Sequence, residues 1–324
     1  MKAIVYTQYG SPDVLRYQEH PKPVPADDQV LIRIRAASLN AADWRIMRAN
    51  PFLVRLMTGG FFRPKYPIIG ADAAGTVEAV GKNVTKFHPG DEVYVDLSLD
   101  GYGAYAEYAC ARADRVALKP ANLSFEEAAT VPLAGVTALQ GLRDNGRMKP
   151  GHKVLVNGAS GGVGIFAVQI AKALGAEVTA VCSTRNLDMV RSLGADHVID
   201  YTREPVLQDG KRYDVILAVN GYQPIGAYKR ALEPNGSYVM VGGTGKQLFQ
   251  ALLLGSWMSR TEGHQMSALT AKPSAPDLDI LRDLIEAGRV KPVIDACYPL
   301  SEAADAVRHM EQQHARGKIV LGVA

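Results

Sequence analysis

Residues 154–175, VLVNGASGGVGIFAVQIAKALG, constrain the fold of this chain more than any other stretch. A short, mostly apolar run leads directly into a turn that contains four glycines. From Val163 onward, apolar residues recur at helical spacing. The pattern predicts a buried strand, a tight glycine turn and a helix.

A turn of this kind suits the pyrophosphate of a dinucleotide. Glycines let the backbone approach the phosphates, and the start of the helix offers unpaired N–H groups and the positive end of its dipole. The match to G-x-G-x-x-G is imperfect because Ala159 stands at the first glycine, and buried strand-to-helix turns can be rich in glycine without a ligand. However, residues 177–182 predict a second strand directly after the helix, which completes a βαβ unit. We therefore predict dinucleotide binding.

Composition narrows the class of protein. A chain of 324 residues exceeds what one core usually supports, so about two domains are expected. The formal net charge of +3 does not favour nucleic acid or a membrane surface as a partner, and a small-molecule partner fits better. Three widely spaced cysteines, Cys110, Cys182 and Cys297, indicate free thiols in a reducing compartment. With no secretory signal or membrane span in the pattern, we predict a cytoplasmic protein.

The order of local patterns predicts an insertion of one domain into another. Residues 1–122 alternate apolar and polar positions in short bursts with glycine punctuation, as in a mostly β domain. Residues 123–270 alternate strands with helices, as in a doubly wound parallel α/β sheet. Residues 271–324 are expected to return to the first domain. We expect Ser124 and Asp277 to begin helices as N-caps.

Two segments have alternative interpretations. Residues 45–65 interleave basic and large apolar side chains, which fits a loop with one helical turn over a cleft or, less well, an amphipathic piece that touches lipid. Residues 247–259 are uncharged and carry several leucines, a phenylalanine and Trp257. They could cover a subunit interface or form a wall of the cleft.

The ordered motifs resemble the medium-chain dehydrogenase/reductase superfamily, and more narrowly its zinc-free quinone oxidoreductase branch. They are GTVEAVGKNVTKFHPGDEVY, GAYAEY, AATVPLAGVTALQGL, VLVNGASGGVG, SLGADHVIDY, GRVKPVID and GKIVLGV. The resemblance implies a GroES-like, partly open barrel made from both ends of the chain, with a Rossmann domain inserted and a cofactor cleft at their junction. It also implies a homodimer formed by edge-to-edge pairing of the nucleotide-binding sheets.

The resemblance also directs attention to the positions that hold catalytic zinc in metal-dependent relatives. Here those positions carry Asn40, Ala71 and Leu133. Zinc needs three protein ligands with sulfur, imidazole or carboxylate donors, and none of these three residues supplies one. The four-cysteine structural zinc lobe is missing as well. We therefore expect no metal.

Without a metal, several kcal/mol of Lewis-acid stabilisation of a carbonyl oxygen are lost. Quinones and α,β-unsaturated carbonyls still accept hydride, because conjugation already makes them electrophilic and positioning with modest polarisation is enough. We therefore predict NADPH-dependent hydride transfer to a quinone or enone, with the proton coming from water or a tyrosine. Two alternatives remain: an NADP-dependent alcohol dehydrogenase, and a low-turnover NADPH-binding protein with a structural or RNA-binding role.

The resemblance implies roles for individual residues. Asn40 and Thr137 would lie near the nicotinamide, and Tyr66, Tyr105 and Trp44 could line the substrate pocket or be core aromatics. The residues implied in coenzyme binding are Ser160, Gly161, Gly162 and Val163 at the pyrophosphate, and Asn220, Gly243 and Lys318 around the ribose and nicotinamide. Asn40 could instead be a turn residue that satisfies its own backbone, and Lys318 a solvated charge at a strand end.

The residues after the second strand favour NADPH over NADH. NAD-specific folds place an acid about 20 residues beyond the glycine turn, where it accepts the ribose hydroxyls and repels a 2′-phosphate. Nineteen residues after Gly164 this chain has Ser183, followed closely by Arg185. A hydroxyl and a guanidinium suit a phosphate, and Tyr201 follows the next strand where related reductases add a phenolic contact. Arg185 could also be an ordinary solvated charge.

Overall fold

The computed structural model describes residues 1–52, 54–57, 60–242, 263–312 and 316–324. The strands of this described part are β1 (Lys2–Val5), β2 (Arg16–Glu19), β3 (Gln29–Ser38), β4 (Asp72–Val80), β5 (Glu92–Asp96), β6 (Tyr108–Arg112), β7 (Ala117–Leu118), β8 (Lys153–Asn157), β9 (Glu177–Cys182), β10 (His197–Asp200), β11 (Tyr213–Ala218), β12 (Leu232–Met240), β13 (Gln265–Ala268), β14 (Ile294–Pro299) and β15 (Lys318–Gly322). The helices are α1 (Ala41–Arg48), α2 (Val54–Met57), α3 (Phe125–Ala129), α4 (Pro132–Gln140), α5 (Gly162–Ala173), α6 (Leu187–Ser192), α7 (Ile225–Arg230), α8 (Ala275–Glu286) and α9 (Ala303–Glu311).

The chain divides into two compact units. The first contains Met1–Ala134, Pro273–Glu286 and Pro292–Ala324, and the second contains Gly135–Lys272 and Ala287–Lys291. The first boundary falls later than residue 122, because α3 buries Ala128 and Ala129 and packs on β3 and β4.

The short segment Ala287–Lys291, which lies between α8 and β14, also belongs to the second unit. The Gln169 amide on α5 exchanges two hydrogen bonds with the Lys291 backbone, at 2.8 and 2.9 Å. This pairing ties Ala287–Lys291 to α5 of the second unit.

The first unit is built on a seven-stranded sheet in the order β14-β15-β3-β4-β5-β7, with β6 also paired to β3. Every pairing in it is antiparallel except that of β14 with β15. β3 lies between partners along its whole length, and its apolar side chains Val30, Ile32 and Ile34 are buried in the core. The strand β15 from the far end of the sequence lies beside it, which closes the first unit around residues distant in sequence.

The second unit contains a six-stranded, fully parallel sheet in the order β10-β9-β8-β11-β12-β13. Its central strands contain short apolar runs that are buried, such as residues 154–156 of β8. Strands covered by helices on both faces need such runs, because neither face of the sheet meets water. The predicted fold class, a doubly wound parallel sheet inserted into a mostly antiparallel GroES-like domain, is confirmed.

Helix starts follow capping chemistry. Ser124 caps α3 as predicted, since its hydroxyl accepts from the Glu127 backbone N–H. Asp277 does not cap α8: the helix begins at Ala275, and Ser274 accepts from the Asp277 backbone N–H instead. α1 occupies part of the segment expected to be mostly loop.

Candidate functional site

The glycine turn of the second unit connects β8 to α5 as predicted. Gly158 has a left-handed φ of +91°, and a Cβ there would lie 2.8 Å from the Asn220 backbone nitrogen. A Cβ at Gly164 would overlap the Gly158 carbonyl oxygen and lie 2.7 Å from the Ala159 carbonyl carbon. Both glycines are therefore required by the protein's own packing, whatever the ligand.

Gly161 has a different environment. It is the N-cap of α5 with φ −84° and ψ 173°, a backbone conformation open to any residue. The nearest atom that an added Cβ would meet is the Gly158 oxygen at 3.7 Å. Neither strain nor crowding in the protein requires glycine here, so the space beside Gly161 fits a ligand that approaches the backbone. The first N–H groups of α5 have no helical partner and can bind an anion there.

The turn lies at the topological switch point of the sheet. From β8 the chain moves outward through β9 and β10, then returns to the other side of β8 with β11. In open α/β sheets the crevice at the carboxyl ends of two such strands binds the ligand. Asn157 ends β8 and donates to the Tyr228 hydroxyl at 2.7 Å, while Asn220 follows β11 and is exposed. The residues present therefore fit a dinucleotide.

Two of the residues predicted for the 2′-phosphate, Ser183 and Arg185, directly follow β9, and the third, Tyr201, follows β10. The Asn186 amide donates to Ser160 Oγ at 3.0 Å and Ser183 Oγ at 3.2 Å, so it ties the glycine turn to the turn after β9. Arg185 is exposed in the same turn, and Tyr201 is 57% exposed after β10. Asn186 was missed in the sequence because its role depends on contact between two turns.

An acid that is not apparent from the sequence pattern also lies here. Asp200 ends β10 and pairs in register with Cys182 at the end of β9. Its carboxylate accepts from the Thr184 hydroxyl at 2.5 Å and from the Thr202 hydroxyl at 2.7 Å. These hydrogen bonds, that of Thr184 foremost, lower the pKa of Asp200 and keep it ionised. Counting residues along β9 alone could not find an acid that a neighbouring strand supplies.

The first unit contains a buried polar cluster at the carboxyl end of β3. Its members are Ser38, Asn40, Asp43, Asp72, Tyr105 and Lys318, and each is at most 6% exposed. The strand registers bring it together, because Ser38 pairs with Asp72 across β3 and β4 and with Val320 across β3 and β15. The resemblance had drawn attention to Asn40 and Lys318, whereas the contribution of Asp72 was not predicted.

Lys318 lies within this cluster rather than in solvent. Its ammonium donates to the Leu39 carbonyl at 2.9 Å and to Asn40 Oδ1 at 2.6 Å, and it lies 3.4 Å from Asp72 Oδ2. The side chain is 3% exposed, which excludes the alternative of a solvated strand-end charge. Three acceptors match the three ammonium hydrogens. A direct contact between Lys318 and the coenzyme therefore remains a prediction that requires one of these bonds to be exchanged.

Asn40 caps α1 and joins it to the cluster. Its backbone N–H donates to Asp43 Oδ2 at 2.7 Å, and its side-chain Nδ2 donates to Asp72 Oδ2 at 2.9 Å. The alternative that Asn40 is only a turn residue does not account for its side-chain bonds to two distant charged groups. Asn40 reaches solvent with 6% of its surface.

Tyr105 is a core aromatic with a polar partner. It is fully buried and its hydroxyl donates to Asp43 Oδ2 at 3.0 Å. Burial raises the pKa of Asp43 to about 7, and its Oδ1 has no hydrogen-bond partner among the described residues. Burial likewise raises the pKa of Tyr105 well above its ordinary value. Asp43 and Tyr105 thus share a protonatable contact inside the first unit.

The other predicted site residues have less informative surroundings. Tyr66 is half-buried with its ring 5.8 Å from that of Tyr102, and Trp44 is half-buried beside the Arg45 guanidinium. Thr137 is buried on α4. Gly243 and the segment 247–259 lie outside the described residues.

The positions compared with zinc ligands are occupied by packing residues. Ala71 is fully buried, and the Leu133 backbone N–H donates to Asp72 Oδ1 at 2.8 Å. Within the described ranges, no group of three histidine, cysteine or acidic side chains could hold a metal ion. Among the helices of the described residues, none is both long and apolar enough to span a membrane.

Comparison with known proteins places these features in a family. Residues 26–121 match the model described as the alcohol dehydrogenase GroES-like domain, and residues 193–321 match that of a zinc-binding dehydrogenase. The chain is 37% identical to the Arabidopsis thaliana chloroplast envelope quinone oxidoreductase homolog, over 99% of this chain and 98% of that protein.

Two further proteins extend the comparison. The NADPH-dependent alkenal/one oxidoreductase of A. thaliana is 35% identical, over 99% of this chain and 79% of that protein. The crystal structure of Escherichia coli quinone oxidoreductase complexed with NADPH superposes with a TM-score of 0.83 at 26% identity, covering 99% and 100% of the two chains. The chain is therefore an oxidoreductase that belongs to the quinone oxidoreductase branch of the medium-chain dehydrogenase/reductase superfamily.

Proposed function

We propose that the protein transfers hydride from NADPH to a quinone or to the β-carbon of an α,β-unsaturated carbonyl, without a metal. The observation that carries this proposal is the oriented amide of Asn40, held by Lys318 and Asp72 at a position where metal-dependent relatives place a zinc ligand. A neutral donor with a buried cation behind it can polarise a conjugated carbonyl. It cannot replace a Lewis acid for simple ketones.

The chain's own residues supply binding and orientation. The open space beside Gly161 and the start of α5 fit the pyrophosphate. The coenzyme, when bound, supplies the hydride. The side chains that hold the acceptor have to place its electrophilic carbon close to the hydride and its oxygen close to a hydrogen-bond donor. The named relatives, a quinone oxidoreductase homolog and an alkenal/one oxidoreductase, support this substrate class.

Metal independence is part of the proposal. One matching family model is described as zinc-binding, but the residues it matches, 193–321, include none of the three positions Asn40, Ala71 and Leu133. Amide, methyl and isobutyl side chains are not zinc ligands. For this reason the alternative of an alcohol dehydrogenase is not favoured.

The preference for NADPH over NADH is also proposed. Ser183 and Arg185 support it, since a hydroxyl and a guanidinium can bind a 2′-phosphate. Asp200 opposes this preference, because its negative charge lies at the end of the neighbouring strand β10 and would repel a 2′-phosphate. The hydrogen bonds that it accepts from two threonine hydroxyls partly stabilise this charge. The similar E. coli quinone oxidoreductase was crystallised in complex with NADPH, which supports the same coenzyme here.

A substrate screen tests the proposal. Purified protein is mixed with NADPH or NADH and, in parallel, with quinones, enones, aldehydes and simple ketones, and the loss of reduced coenzyme is followed. We expect quinones or enones to be reduced with NADPH, and simple ketones to react far more slowly. Efficient oxidation of simple alcohols with NADP would favour the dehydrogenase alternative. Tight binding of single-stranded RNA at physiological salt, with no turnover of any acceptor, would favour the structural or RNA-binding alternative.

Two coarser properties complete the proposal. We propose a homodimer, which light scattering during gel filtration can test, and a cytoplasmic location, which cell fractionation can test. The described cysteines are all free thiols, as a reducing compartment requires. Two of the relatives carry chloroplast names, so location varies within the family.

A further inference from the structure

We propose that Lys318 is a positioning residue for hydride transfer: its buried ammonium fixes and polarises the Asn40 amide, whose open N–H binds the acceptor's carbonyl oxygen. This inference rests on the proposed function. In metal-dependent relatives the charge of the zinc ion polarises the substrate. The inference assigns a comparable role to the Lys318 side chain, which does not itself touch the substrate.

The two charged neighbours leave the Asn40 amide only one orientation. Its oxygen faces the Lys318 ammonium at 2.6 Å, and its nitrogen faces the Asp72 carboxylate at 2.9 Å. A flipped amide would place N–H groups against the ammonium and an oxygen against the carboxylate. Each flipped contact is repulsive, so the direction of the amide is set by charge rather than by packing alone.

The same contact polarises the amide. A hydrogen bond from an ammonium is charge-assisted and draws electron density toward the amide oxygen. Linked hydrogen bonds in a buried setting strengthen one another, so the N–H groups on the other end of the amide become better donors. Asn40, Lys318 and Asp72 are at most 6% exposed, so water screens this coupling little.

One donor of the amide remains open. The Nδ2 nitrogen carries two hydrogens, and the one hydrogen bond it donates within the described part of the chain goes to Asp72. Asn40 also keeps 6% exposure whereas Asp72 has none, so Asn40 is the most exposed member of this cluster. The second N–H is therefore available to an oxygen atom of the substrate.

The chemical step balances with this single donor. The hydride supplied by the coenzyme adds to the electrophilic carbon, and the π electrons of the conjugated system move onto the carbonyl oxygen. That oxygen becomes an enolate oxygen, which the Asn40 N–H would stabilise. Water then protonates the α-carbon of an enone; for a quinone, the ring carbon that received the hydride passes a proton to one oxygen through water, and the other oxygen takes a proton from water, which gives the hydroquinone. Removal of a preorganised donor of this kind typically lowers kcat by about a hundredfold or more.

The principal test removes the cation together with its counter-ion. Lys318→Met alone would leave the Asp72 charge buried without a counter-ion and could unfold the protein, so the variant is K318M/D72N. The matched control is K119M/E92Q, because the Lys119 ammonium is also buried in the first unit and bonded to the Pro120 and Leu123 carbonyls and to Glu92. Thermal unfolding and the NADPH dissociation constant are measured for both.

We expect K318M/D72N to lower kcat for the best quinone or enone by about ten- to a hundredfold, while KM and the NADPH dissociation constant change less than threefold. The single variant Lys318→Arg keeps a cation beside Asp72, so it should lower kcat less than K318M/D72N does. The control pair should keep its rate. A folded K318M/D72N protein with the wild-type kcat would overturn the inference, and a wild type that reduces neither acceptor would instead refute the proposed function.

A coupling measurement separates positioning from a purely structural effect. Asn40→Ser keeps a good helix cap but removes the amide donor, and we expect it to lower kcat about as much as K318M/D72N does. Adding Asn40→Ser to K318M/D72N should then cause little further loss, since both changes act through the same N–H. Losses that multiply would mean that Lys318 does not act through Asn40.

Discussion

A pair of glycine substitutions in the turn between β8 and α5 separates ligand binding from folding. Gly161→Ala adds a methyl group where the nearest protein atom is 3.7 Å away and the backbone is in a common conformation. Gly164→Ala adds the same methyl group against the Gly158 carbonyl oxygen and 2.7 Å from the Ala159 carbonyl carbon. The two variants therefore differ in crowding but share chemistry and location.

The expected magnitudes follow from these surroundings. For Gly161→Ala, the loss of a good N-cap, about 0.5–1 kcal/mol, is roughly offset by the lower entropy of the unfolded chain, about 0.4–1 kcal/mol. The melting temperature should change by no more than about 3 °C. For Gly164→Ala, backbone must shift, and overpacking of this kind costs about 1–3 kcal/mol or more, which lowers the melting temperature by several degrees.

Binding should show the opposite order of effects. If the pyrophosphate lies against Gly161, the added methyl group displaces it from the N–H groups of α5. Each charge-assisted hydrogen bond lost reduces the binding free energy by roughly 1.5–3 kcal/mol, which raises the dissociation constant about ten- to a hundredfold. Fluorescence titration with NADPH and thermal unfolding of both variants provide the two readouts. A Gly161→Ala protein that binds NADPH as tightly as the wild type would refute the assignment of the pyrophosphate site to Gly161 and the start of α5.

Three further predictions concern the coenzyme, the metal and pH. Arg185→Ala should weaken NADPH binding by about ten- to a hundredfold, more at low salt, and barely affect NADH; equal losses in titrations with both coenzymes would contradict the 2′-phosphate assignment. Exhaustive chelation should leave activity and melting temperature unchanged, whereas stoichiometric zinc by elemental analysis together with inactivation would show a metal site. The folded protein holds the Asp43 proton up to about pH 7 while the unfolded chain releases it near pH 4, so the free energy of unfolding should fall as pH rises through this window. Asp43→Asn should make that fall smaller, by on the order of a few kcal/mol, in urea titrations from pH 5 to 8. Asp96, whose pKa burial raises to about 7, and Asp100, whose pKa burial also raises, should contribute to the slope that remains; an unchanged slope would mean that Asp43 does not hold the proton.

The sequence predicted the second unit better than the first. Strand β9 has the bounds expected from it, residues 177–182, because every residue after Glu177 is buried and the run is mostly apolar, as in a strand covered on both faces. α1 was largely missed because its basic side chains obscure a short amphipathic helix. Its start becomes clear only from the reciprocal bonds between Asn40 and Asp43.

For the candidate site, the glycine turn was predictable because its residues are contiguous. The surroundings of Lys318 were not, since they depend on which strand pairs with β15 and in which register. Asp200 was not predicted for a similar reason: it lies beside the turn after β9 because β10 pairs with β9 in a register that places Asp200 opposite Cys182. Local chemistry was therefore predicted, and contacts set by sheet register were not.

The position of β15 affects how the protein can fold during its synthesis. All six strands of the second sheet are made before residue 318, so that unit can complete its sheet while the chain is still growing. The first unit cannot, because β15 lies between β14 and β3 in its sheet and is translated after every other described element. Until then, residues 36–38 of β3 lack their β15 partner and the buried Asp72 lacks the Lys318 cation. A chain cut short before residue 318 would thus contain the strands of the parallel sheet but not the strand that joins β14 to β3 in the first unit.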